Sequence, residues 1–445
     1  MSALPNRFGA VVILLSVAFI AVACGDAPAV VGQAGAPAPT ASPVVQPSSV
    51  ASPDPSASPS ADPAEGVVQP TTPTQPTSPT GPSLRPVVPP PPPVPTTWSK
   101  ARVIMSGQCW NVTATVDSSG TFHMVAGCGM GIRYAMSKDG KAWRTAVLPH
   151  LAHRMDVEPQ IAVDGSTLYV AYTRQRQLDG ACGDSGLVDL GVYYRTRTLP
   201  DGRWSAPTRL GAAGAHLQSF RVVNGVIHET FVTQNREGPV WYGSLTAGTF
   251  RSIRIPGATG TSLRVGDDGR ARIAYTTGDS IRYATVTGGR LSTRVVFRSK
   301  VMQMDAPSLV LGAGDRAYMA WAVHPVWGGG CADGGAPDVK PGTYFGTDVS
   351  GAWRVKRLTA LVTSPSLALD ASTGRLYAAL TTERDVRDLA RRPDGTWTLG
   401  RRIAGTKDMM SATLRRDTVS GHLLLVGARW VEGGDKIDIV ALVKS

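Results

Sequence analysis

The chain has 445 residues, with 45 Lys and Arg against 33 Asp and Glu and a formal net charge of +12. Apolar residues make up 42% of it, enough to bury a large core, so a wholly disordered chain is excluded. With only seven His, none in metal-ligand spacing, a zinc centre is not expected, nor is any other metal or cofactor.

The first segment reads MSALPNR, then FGAVVILLSVAFI, then AVAC. Arg7, an apolar core and small residues before a cleavage point make a secretory signal over residues 1–23. The apolar run from Phe8 to Ala23 is shorter than the ~20 residues a membrane-spanning helix needs. Ala21, Val22, Ala23 and Cys24 resemble the lipobox of bacterial lipoproteins, with Ala21 where Leu is commonest in that family. The resemblance implies an acylated Cys24, anchoring in the lipid bilayer, and a head on the outer side of the cell membrane. An extracellular address leaves no role for nucleic acid.

Residues 24–97 are almost wholly Pro, Ala, Ser, Thr and Val, ending in PVVPPPPPVPTT. Such a stretch cannot bury a core and is expected to be a disordered, extended tether. At about 3.1 Å per residue it reaches about 200 Å when stretched. All but two of the Lys and Arg, and all but four of the Asp and Glu, lie beyond residue 98, so the head is more basic than the whole chain. A head of that charge concentrates near anionic surfaces or polyanionic glycans.

From Trp98 a phrase recurs: an alternating apolar strand, a Gly-containing turn, then Trp or another apolar residue. It reads IRYAMSKDGKAW, VYYRTRTLPDGRW, VWYGSLTAGTF, IRYATVTGGRL, TYFGTDVSGAW and VRDLARRPDGTW. A strand–turn–strand unit precedes it, as in PQIAVDGSTLYVAY, PSLVLGAGDRAYMAW and PSLALDASTGRLYAAL. The two units together make one four-stranded blade, and the period is that of a β-propeller. Blades are expected to begin near Gln108, Glu158, Gln218, Thr261, Ala306, Ser364 and Met410. The last has three strands, and TTWSKARVIM at the start of the head supplies its fourth, outer strand. Residues 98–445 are therefore read as one all-β, seven-bladed propeller, six blades being the alternative, closed by joining its two ends.

Besides Cys24 there are Cys109, Cys128, Cys182 and Cys331, an even set suited to disulfides in an exported domain. Cys109 opens the inner strand A of blade 1 and Cys128 ends its neighbour B, so these two are expected to pair. That leaves Cys182 with Cys331. Both lie in insertions between strands B and C, Gln177–Gly191 and His324–Gly342, of nearly opposite blades, and a bridge between them would arch over the channel mouth.

The starts of A strands and the ends of B strands share one rim. The carboxylates expected there, Asp156, Glu158, Asp305 and Glu383, are the candidate catalytic groups. Arg174, Arg236, His324, Trp327, Arg384, Arg429 and Trp430 are the candidate ligand contacts. Carboxylates, guanidinium forks and Trp faces together are what a carbohydrate site uses.

Ser137, Asp139, Gly140 and Trp143 in YAMSKDGKAW resemble the Asp-box of sialidase-type propellers, with one residue fewer between Asp and Trp. PDGRW and PDGTW are weaker echoes. The resemblance implies a structural hairpin on the outer C–D turn, away from an active site. The early F-R-I-P phrase of sialidases is missing, their Tyr–Glu pair cannot be read, and they have six blades. The sequence also lacks a G-x-S-x-G elbow, H-E-x-x-H and a phosphate-binding glycine loop. The function expected is a surface-anchored, monomeric head that binds a glycan or envelope partner without catalysis. A sialidase-like exo-glycosidase and a structural docking platform are the alternatives.

Overall fold

The computed structural model describes residues 94–177, 186–233, 236, 238–300, 302–325, 338–348, 351–392, 394–398, 400–431 and 436–445. The signal segment with Cys24, nearly all of the tether, Cys182, Cys331, Trp327 and most of both inserted loops lie outside them.

Seven antiparallel sheets follow one another around a ring. Each is a meander running outward from a central strand A to a peripheral strand D. Blade 1 spans Cys109–Val116 to Arg144–Val147, and blade 2 Met155–Asp164 to Thr208–Leu210. Blade 3 runs from His216–Val223 to Thr249–Ile255, and blade 4 from Gly260–Val265 to Arg290–Arg298. The inner strand of blade 5 is broken at Asp305 into Met302–Met304 and Ser308–Leu311, both paired with Ala317–Pro325. Blade 6 spans Ser364–Asp370 to Arg401–Arg402. Five of the A strands begin within two residues of the positions expected from the repeat; blade 2 begins three earlier and blade 5 four earlier.

Blade 7 is composite. Met409–Arg416, Leu423–Trp430 and Ile437–Lys444 supply three strands, and Arg102–Met105 supplies the outermost, with Arg102 opposite Ala441. Trp98 Nε1 and Lys444 Nζ both donate to Asp388 Oδ2, at 2.9 and 2.6 Å, tying the seam to blade 6. Closure in this way leaves no open edge between first and last blades.

The core lies between blades rather than within them. Seven apolar clusters fill the seven inter-blade wedges. Val125, Ile132, Tyr134, Leu168, Val170 and Tyr172, for example, join blades 1 and 2. Both faces of each twisted sheet meet a neighbour near the axis, so the B strands are buried almost throughout, as in Ala271–Thr276, while the D strands are solvated. A belt of hydroxyl bonds stitches the inner strands together. The N–H groups of Leu263, Leu309, Leu367 and Leu414 donate to Ser219, Ser262, Ser308 and Ser366 of the preceding blade at 3.0–3.2 Å.

The Asp-box is the hairpin its resemblance implies. Asp139 Oδ1 accepts from Ser137 Oγ and from the N–H groups of Lys141 and Ala142, and Trp143 Nε1 donates to the Gly140 carbonyl. It links the C and D strands of blade 1, at the periphery.

One expectation is altered. The insertion expected as loop from Gln177 to Gly191 is partly ladder: Leu187–Thr198 is one strand, with Leu187 opposite Gln177 and Asp189 opposite Gln175. The alternation in LVDLGV lets the B–C hairpin of blade 2 continue past its neighbours.

Candidate functional site

The rim at the A-strand starts is shaped by bulges. Register shifts fall between Trp110 and Thr113, Val157 and Gln160, Leu217 and Ser219, and Met409 and Ser411. Asn111 and Glu158 lie inside two of these and Asp408 just before a third, all with positive φ (49°, 52° and 61°), a conformation uncommon for non-glycine residues. A bulge re-aims the side chain it carries. Opposite the bulge of blade 7 stands Gly427, where a Cβ would lie 2.1 Å from the Ser411 carbonyl oxygen.

Blade 2 gathers most of the charge. Arg174 Nε donates to Asp156 Oδ1 at 2.7 Å and its Nη2 to Oδ2 at 3.0 Å, and the guanidinium lies 4.6 Å over the Tyr193 ring. Burial opposes the charge on Arg174, but Asp156 outweighs it and raises the guanidinium pKa.

The Glu158 bulge turns its carboxylate toward blade 3. There His216 Nε2 meets Glu158 Oε2 at 2.5 Å, while Nδ1 lies 3.2 Å from Asp189 Oδ2 in an ion-pair contact outside hydrogen-bond alignment. Gln175 Nε2 donates to Asp189 Oδ1 at 2.7 Å, and Arg236 Nη2 stands 3.3 Å from Glu158 Oε1. Burial disfavours a charged His216, but Asp189 and then Glu158 overcome it and hold the imidazole pKa above 6.5. Burial likewise opposes charge on Asp189, and His216 and Gln175 more than offset it, holding that carboxyl below 3.8. The result is a cation locked between two carboxylates. Its solvent-reachable ends are Glu158 and Arg236.

Of the sequence candidates, the structure therefore brings together Asp156 with Arg174, and Glu158 with Arg236. On blade 5, His324 Nε2 lies 2.9 Å from Asp305 Oδ1. Glu383 and Arg384 sit exposed on the B–C turn of blade 6, and the Arg384 carbonyl accepts the N–H of Asp408. Arg429 Nη2 is 3.8 Å from Asp438 Oδ2. Trp430 packs edge-on against Trp110 with ring centroids 5.7 Å apart, and Trp110 is 40% exposed. Cys109 and Cys128 are bonded, directly opposite each other in the ladder as expected.

Sequence reasoning missed His216, Asp189, Gln175 and Trp110. His216 opens an A strand, the position that in blade 1 holds a cysteine, and that placement was a readable signal. Asp189 lies in the Gln177–Gly191 segment, whose Gly and Asp content reads as loop. Among the described residues no group of three or more His, Cys, Asp or Glu could hold a metal ion.

These features define a seven-bladed β-propeller with a charged, aromatic-bearing rim. No protein-family model and no curated sequence relative matches the chain. In fold it is similar to an ulvan lyase, reported as a new family of polysaccharide lyase and solved with bound saccharide. That likeness has 10% identity and a TM-score of 0.50, and covers 76% of this chain and 94% of that one. It is similar to a Dyadobacter fermentans protein of unknown function at 12% identity and TM-score 0.45, over 77% of this chain and 99% of that one. A likeness to Trypanosoma rangeli sialidase has 11% identity and TM-score 0.42, over 76% of this chain. The chain spans 55% of that sialidase's length. The likeness extends to the fold.

Proposed function

We propose that this chain is a lipid-anchored surface protein whose propeller head binds a glycan on the rim of A-strand starts and B-strand ends, without turning it over. The observation that carries this reading is the Trp110–Trp430 pair, a half-exposed aromatic platform on a rim of fixed charges. Sugar rings stack on such faces while polar forks take their hydroxyls or carboxylates. Cys24 after Ala21-Val22-Ala23 supports the anchor, and the Pro-rich segment supports a tether.

The sialidase-like alternative fits the rim less well. Glycoside hydrolysis needs one carboxyl kept protonated as general acid and a second carboxylate placed across the scissile bond. Asp156 is committed to Arg174, Glu158 and Asp189 both hold His216, and Asp189 is driven toward the ionised form. Such carboxylates hold shape rather than shuttle protons.

A glycan array with the purified head, followed by titration calorimetry on the hits, tests the reading. Saturable binding that weakens in Trp110→Ala is expected, with no release of fluorophore from sialosides or other fluorogenic sugars. Turnover of any of these would overturn it. The anchor is tested separately, by loss of membrane fractionation in Cys24→Ala.

A further inference from the structure

On the opposite face from this rim, the ends of the inner strands enclose a cavity of about 590 Å³ on the propeller axis. Its lining follows from a repeated phrase: Ser219-Phe220-Arg221, Ser262-Leu263-Arg264, Ser308-Leu309-Val310, Ser366-Leu367-Ala368 and Thr413-Leu414-Arg415. The hydroxyl belt sets these strands in register, so the third residue of each phrase stands at one level facing the axis. Ala114 and Ala162 complete the layer from blades 1 and 2. Three of the seven positions are therefore Arg, and the other four are small or apolar.

The arrangement is not random around the ring. Arg221 and Arg264 are on adjacent blades 3 and 4, and blade 7, which carries Arg415, is the one opposite that pair. Each guanidinium folds back to donate Nη1 to the carbonyl of the residue before it, and Arg415 Nε also donates to the Ala114 carbonyl. Among the described residues none of the three pairs with a carboxylate. The acids nearby are taken: Asp268 and Asp315 by Arg272, and Asp370 by Arg416. Asp267, which also lines the cavity, is exposed.

We propose that this layer is a second binding site, for a phosphate or sulfate group held between Arg415 and the Arg221–Arg264 pair. The group is either a free oxyanion or an ester carried on a small molecule. Guanidinium forks match tetrahedral oxyanions, and the four small side chains leave the room between them. The three like charges repel one another, and partial burial adds to the cost of the unliganded layer. Burial, with Arg415 adding to it, pulls the Arg221 pKa down to about 9, burial pulls Arg415 to about 10, and Arg264 is lowered by burial and by both neighbours. A guanidinium is the most basic side-chain group and keeps its charge at neutral pH, and an anion between the three removes the repulsion. This site is independent of the glycan rim.

The test is calorimetric titration and thermal unfolding of the full chain with sodium sulfate, sodium phosphate and glucose 6-phosphate, against sodium chloride at matched ionic strength. Saturable binding, and a rise in Tm with sulfate or phosphate beyond that in chloride, are expected. Arg264→Gln and Arg415→Gln should each weaken binding at least about tenfold. Without anion Arg264→Gln, whose guanidinium bonds only its own strand, should unfold above the wild type, which a merely structural role for this arginine would not produce. Glucose 6-phosphate binding tighter than phosphate assigns an ester, and weaker binding assigns the free ion; both support the site. A wild-type response no larger than that to chloride, or unchanged affinity in Arg264→Gln, overturns the proposal. If a variant does not fold, the wild-type calorimetric titration decides: a saturable heat supports the site and its absence overturns it, because sulfate and phosphate raise Tm by exclusion from the surface even without a site.

Discussion

Arg174 and Asp156 face each other across the first two strands of blade 2 in a two-pronged pair, their side chains 3% and 4% exposed. The pair sits at the start of an inner strand, where the sequence suggests a catalytic carboxylate. Its burial gives it a structural role instead, and that difference is measurable.

Asp156→Ala leaves Arg174 charged, buried and without its partner. Breaking a buried pair from one side costs about 3–5 kcal/mol. Denaturant unfolding should show a loss of that size. The double variant Asp156→Leu/Arg174→Met should recover most of it, whereas a catalytic Asp156 in a solvated pocket would leave stability nearly unchanged.

His216 makes stability depend on pH. Its folded pKa lies above 6.5, so the folded state binds the proton more tightly than the unfolded chain. The stability it contributes is complete below pH 6.5 and is lost as the pH rises through the folded value. Unfolding temperatures followed from pH 5.5 upward should fall for the wild type and stay flatter for His216→Gln. Equal slopes in the two proteins would show that the imidazole titrates normally.

Glu229 points the other way from most carboxylates. It is 1% exposed in the second strand of blade 3, neither of its oxygens has a hydrogen-bond partner among the described residues, and burial raises its pKa well above 4.5. An acid with a raised folded pKa stabilises most below its unfolded pKa and loses that contribution as the pH climbs toward the folded one. Glu229→Met should therefore stabilise the protein by about 1–3 kcal/mol at pH 8, with a smaller gain at pH 4. Destabilisation at both pH values would mean that the carboxyl has a partner.

Closure of the ring can be cut directly. A chain starting at Val94 keeps the strand Arg102–Met105, and one starting at Gly107 exposes the edge of Ile437–Lys444. The first is expected to unfold cooperatively. The second should lose cooperativity or aggregate through the freed edge.

Trp110→Ala reads the proposed glycan platform. Loss of one stacking face should weaken glycan binding by roughly 1–2 kcal/mol, about tenfold, with little change in unfolding temperature because the ring is half exposed. Unchanged affinity would move the ligand away from blades 1 and 7.

The blade count, the closing strand and the Cys109–Cys128 bridge were legible in the amino-acid order because each rests on local periodicity. Alternation marks strands, Gly and Asp mark turns, and an incomplete last repeat calls for a strand from elsewhere. The ion-pair site was legible only in part. Asp156, Glu158 and Arg174 lie on the two inner strands of one blade, but His216 and Asp189 reach them from a neighbouring blade and a lengthened hairpin. Trp110 meets Trp430 only because the ring closes between them, 320 positions apart in the chain. Strand periodicity says which residues share a face; bulges, inter-blade packing and closure decide which of those faces touch. Those contacts depend on register over long range, and the order of residues within one blade does not carry it.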